Sequence, residues 1–84
     1  MVLMRTAPRP TATPLGAYIQ AKRLEAGLSS AALAEAIGTS GGGVSNWEAR
    51  GVVPSSKFIA ALARVLPGAE ADEMLALIAQ SETQ

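Results

Sequence analysis

Between Leu28 and Pro54 the chain leaves itself few ways to fold. The segment reads LSSAALAEAIGTSGGGVSNWEARGVVP. Leu33, Ala34 and Ile37 recur at helical spacing behind Ser29 and Ser30, either of which can open a helix over about residues 29–37. Gly38 stops that helix. Ser40 can cap a second one over about 41–49, in which Val44 and Trp47 lie three residues apart on one face. Pro54 then forbids any continuation. Two short helices joined by one tight glycine turn must each bury a narrow apolar stripe, so they have to share a small core with further helices.

The rest of the chain supplies those helices. Thr13 can cap a helix that begins at Pro14, carries Leu15, Ile19 and Tyr18 inward, and ends at Gly27. Ser55 can cap a fourth helix over about 56–66, where Phe58, Ile59, Leu62, Ala63 and Leu66 recur at three- and four-residue spacing. Pro67-Gly68 breaks it. A fifth helix over about 70–80 has acids in its first turn, as the helix dipole favours, and an apolar stripe of Met74, Leu75 and Ile78. Residues 1–13 show no periodicity and read as a flexible N-terminal arm, residues 14–80 as one domain, and residues 81–84 as a frayed end. Alanine is frequent and β-branched and aromatic residues are sparse, which favours helices over strands. At 84 residues the chain holds one small domain with a modest core.

Composition removes several function classes. There is no cysteine and no histidine, which excludes disulfides, thiolate metal sites, the usual zinc sites and histidine-based acid–base catalysis. No cofactor motif and no constellation of acids suggests an enzyme, so catalytic residues, metal ligands and cofactors are all expected to be none. No apolar run approaches a membrane span, and the apolar start is too short for a signal sequence, so a soluble cytoplasmic protein with no membrane partner is expected. The seven basic and seven acidic residues cancel overall, yet residues 1–66 hold seven positive and three negative charges, a local balance of +4. Local charge, as well as the sum, sets the field a partner meets.

The pattern of the central segment is that of a helix-turn-helix, whose second helix can enter a DNA major groove. More specifically, the chain resembles the Xre/Cro-type helix-turn-helix family of phage repressors and bacterial regulators. The resemblance is carried by Leu15-Gly16, Ile19, Arg23, Gly27-Leu28-Ser29, Leu33-Ala34, Gly38, Ser40, Val44-Ser45, Trp47-Glu48, Gly51, Pro54, Leu62-Ala63 and Leu66. It implies an all-α, compact five-helix bundle of the lambda repressor-like kind. It also implies a buried structural ion pair between Arg23 and Glu48, with Arg23 on phosphate as the other choice. Trp47 falls at a family core position, although a tryptophan can also stack on a base.

As a DNA-binding domain, the chain offers Asn46, Ser45 and Ser40 as base-contact candidates, Asn46 first because its amide matches an adenine edge. Ser30, Gly41, Gly42, Gly43, Arg50 and Lys57 are phosphate-contact candidates. Arg5 and Arg9 are candidates for a minor-groove arm. The glycine run departs from the family, whose corresponding positions carry polar side chains. Its backbone N–H groups approach a phosphate, or the segment stiffens only with a partner, or glycine is simply tolerated at a helix end. The expected partner is double-stranded DNA, bound by a transcriptional regulator of the small repressor type that occludes its operator. A homodimer, with Met74, Leu75 and Ile78 in its seam or merely in the core of their own subunit, stays open. So does a rival reading, a protein-interaction module of the same fold, antitoxin-like or the partner of a larger regulator, with DNA contact secondary.

Overall fold

The computed structural model describes residues 10–82. It consists of five helices, α1 (Pro14–Glu25), α2 (Ser30–Ile37), α3 (Gly41–Ala49), α4 (Ser56–Val65) and α5 (Ala71–Glu82), with no strand among the described residues. The expected arm residues Arg5 and Arg9 lie outside the described residues.

Local chemistry accounts for most helix ends. The Thr13 hydroxyl accepts the Gly16 N–H at 3.0 Å, Ser29 accepts that of Ala32 at 3.0 Å, and Ser40 accepts that of Gly43 at 3.1 Å. Each hydroxyl satisfies one amide that the first helical turn leaves unpaired. Ser55 behaves differently from expectation. It holds the N-cap position of α4 but makes no side-chain cap; only its carbonyl accepts, from Phe58 and Ile59. Between α2 and α3, Gly38 adopts φ 85°, a left-handed conformation that turns the Thr39 N–H back onto Ala34 O at 2.9 Å and reverses the chain within a few residues.

The inner faces of the helices meet in one core of Leu15, Ile19, Leu33, Ala34, Val44, Trp47, Ile59, Leu62, Leu66, Ala69 and Met74. Trp47 packs on Phe58 of α4, ring centroids 5.5 Å apart. In α5 the inward stripe is Met74, Leu77 and Ile78; Leu75 is 51% exposed. Met74 and Leu75 are neighbours on a helix, hence about 100° apart. Once Met74 is buried with the residues three and four positions on, Leu75 has to face outward.

Tyr18 fixes α5 from outside the core. Its hydroxyl accepts the Glu70 N–H at 3.0 Å and donates to the Glu73 carboxylate, while Lys22 Nζ lies 5.4 Å from its ring centroid. Burial, and then the hydrogen bond to Glu73, raise the Tyr18 pKa above its usual 10.0. No described helix is long and apolar enough to cross a membrane.

Candidate nucleic-acid interface

The third helix is held by one side and open on the other. Val44, Trp47 and Glu48 are buried, and α3 packs against α1 and α2. Glu48 forms the tightest of its attachments. Arg23 Nε and Nη2 donate to its two carboxylate oxygens at 2.8 and 3.0 Å, and Gln20 Nε2 donates to Oε1 at 3.3 Å. Arg23 Nη1 also donates to Leu28 O at 2.9 Å, so the guanidinium ties α1 to α3 and to the loop before α2. Both side chains are 5% exposed. A paired charge with several hydrogen bonds tolerates such burial, whereas an unpaired one does not. The ion pair expected between Arg23 and Glu48 is present; Gln20, its third member, had no local sequence signal.

The backbone of α3 is clasped as well. The Ala12 N–H donates to Glu48 O at 3.1 Å, which fastens the inner end of the N-terminal segment beside the C-terminal half of α3. Gly16 lies against the same place. A Cβ there would stand 2.8 Å from both Glu48 O and Trp47 O, so only glycine allows α1 this close.

On the opposite side, Gly42 and Ala49 are exposed and Ser45 and Asn46 half-buried. These four positions are spaced three, four and seven apart and therefore line one face. The Asn46 backbone carbonyl is occupied, accepting from Arg50 and Val52 at 3.1 Å each, but its side-chain amide makes no hydrogen bond among the described residues. The Ser45 hydroxyl likewise makes no hydrogen bond among the described residues. Ser40, by contrast, uses its hydroxyl oxygen as the α3 cap. Ala49 on this face escaped the sequence reading, although its seven-residue spacing from Gly42 carried the signal.

Of the three glycines that open α3, only one is crowded. A Cβ at Gly43 would meet Thr39 Oγ1 at 2.8 Å, whereas at Gly41 and Gly42 the nearest atoms lie at 3.8 Å. None has a positive φ. The run forms the first turn of α3, capped by Ser40. Ser30 is half-buried in the first turn of α2, whose cap is Ser29. Arg50, at the C-cap of α3, and Lys57, in the first turn of α4, are both exposed. Lys57 Nζ lies 5.1 Å from the Phe58 ring centroid. Between them Val52 and Val53 are 48% and 54% exposed.

A family model described as a helix-turn-helix domain matches residues 14–77, from the start of α1 into α5. The comparisons with curated proteins and with solved structures gave no match.

Proposed function

The chain belongs to the helix-turn-helix domain family, and from that premise we propose that it is a sequence-specific, double-stranded DNA-binding transcriptional regulator of the small phage-repressor type. It acts in the cytoplasm by covering an operator and so blocking polymerase. The observation that carries this reading is the open face of α3. The helix is mounted on α1 and α2 through Val44, Trp47 and Glu48, while Gly42, Ser45, Asn46 and Ala49 remain available to a major groove. Asn46 and Ser45 serve base edges. Ser40, Ser30 and the amides of Gly41 and Gly42 take phosphate at the N-terminal ends of α3 and α2, whereas the Gly43 N–H, also expected to do so, is held by Ser40; Arg50 and Lys57 hold phosphates at the far end of α3. Two protomers on half-sites about one helical turn apart give the occluding unit.

Titration of a labelled duplex at two salt concentrations tests the proposal. A dimer using Arg50 and Lys57 twice neutralises about four phosphates, so a fourfold rise in salt weakens binding on the order of 100-fold. No association with any duplex at low salt refutes it. The second reading, a protein-interaction module, is favoured by Val52 and Val53, exposed at the edge of an α3 face that carries no cation. That reading gains if duplex binding is absent.

A further inference from the structure

Resting on the DNA-binding reading above, we infer that the open face of α3 selects A·T base pairs at the centre of each half-site. Each base pair shows the major groove its own set of donors, acceptors and methyl groups. Guanine is read chiefly by Arg or Lys, cytosine by Glu or Asp, adenine by Asn or Gln, and the thymine methyl by small apolar groups. The face of α3 is Gly42, Ser45, Asn46 and Ala49. It holds one adenine reader, one methyl that suits thymine, and a serine that bonds either kind of pair. It holds no side chain that recognises guanine or cytosine.

The charged groups nearest this face are committed or displaced. Glu48, the acid of α3, is buried and bonded to Arg23 and Gln20. Arg50 stands past the last helical turn, at the C-cap, where it suits a phosphate. The Asn46 amide, unlike these, makes no hydrogen bond among the described residues, so both its donor and its acceptor remain for the adenine N6 and N7 positions. Gly42 completes the argument. A Cβ there would meet nothing closer than Ser40 Oγ at 3.8 Å, so the fold does not demand a glycine. The position instead leaves room over the base edges, and the thymine methyl is the group that projects into such room.

Selection of binding sites from a random duplex library by the full chain, followed by titration of the enriched duplex and of a copy with its central A·T pairs changed to G·C, tests this. The enriched sites should carry A·T at the centre, and each replaced pair should weaken binding on the order of 10-fold. Asn46→Ala should bring the ratio between the two duplexes towards one. Its side chain makes no hydrogen bond among the described residues, and an unchanged melting temperature verifies that the variant is intact. Gly42→Arg should shift selection towards guanine at the facing position. Enrichment of G·C at the centre, or equal binding of both duplexes, overturns the inference while leaving DNA binding standing. Failure to bind any duplex at low salt overturns both.

Discussion

Replacing Gly16 by alanine adds one methyl group at the place where α1 crosses α3. On an isolated helix this substitution is favourable by about 1 kcal/mol, because glycine has the greater backbone freedom to lose. Here the new Cβ would stand 2.8 Å from Trp47 O, 2.8 Å from Glu48 O and 3.1 Å from Glu48 Cα. All three obstacles are backbone, so no side-chain rotation relieves them. The helices have to separate by several tenths of an ångström, which also stretches the Arg23–Glu48 bonds and the Ala12–Glu48 bond on the same residue. Overpacking of this kind costs roughly 1–3 kcal/mol, and rigid obstacles place it at the upper end. After the propensity gain is deducted, Gly16→Ala should destabilise by about 2 kcal/mol. For a domain of this size each kcal/mol moves the melting temperature by about 4–8 °C, so thermal unfolding followed by circular dichroism should show a fall of about 8–16 °C. Gly42→Ala is the matched control, since its Cβ has open space; its melting temperature should rise by a few degrees. A Gly16→Ala variant as stable as the parent would refute the claim that this glycine sets the distance between α1 and α3.

Glu48→Gln keeps the shape of the buried cluster but leaves Arg23 without its counter-charge. Urea unfolding should show a loss of about 3–5 kcal/mol, and a loss under 1 kcal/mol would mean that the guanidinium finds water instead. Tyr18→Phe removes the bonds to Glu70 and Glu73 and should cost about 1 kcal/mol, with α5 amides exchanging faster than those of α3 in hydrogen-exchange measurements. The raised Tyr18 pKa adds a pH dependence. The folded state prefers the neutral phenol, so this contribution is full below pH 10.0 and disappears as pH rises through the higher folded value. The parent should therefore lose stability in that alkaline range, and Tyr18→Phe should lose less; equal losses would show that Tyr18 does not carry the effect.

Most of the helical framework was legible in the sequence because it is written in nearest neighbours. A cap at Thr13, Ser29 or Ser40 acts over three residues, and Gly38 and Pro54 act on their own dihedrals. Ser55 is the exception, since residue type names a capping position without making its side chain turn inward. Long-range partners were harder to read. Gln20 and Tyr18 find theirs 28 and 52–55 residues away, and no spacing rule reaches that far. The exposure of Leu75 depended on which of two adjacent apolar residues faced α1 and α4, a matter of rotation rather than composition. Gly16 could be placed by family likeness, but the reason for it lies in the backbone of another helix. At the candidate site, the inward anchors Val44 and Trp47 were readable from their spacing, and Glu48 only from family likeness. That the Asn46 amide is free and Ser40 is occupied became visible only when the hydrogen bonds were placed.

The division of labour within α3 has an engineering consequence. What mounts the helix and what it displays fall on different residues, so the displayed set behaves as a replaceable cassette. On the proposed DNA-binding reading, substitutions at positions 42, 45, 46 and 49 should retarget the protein to new sequences at little thermodynamic cost, with the chassis of Val44, Trp47 and Glu48 left as it is.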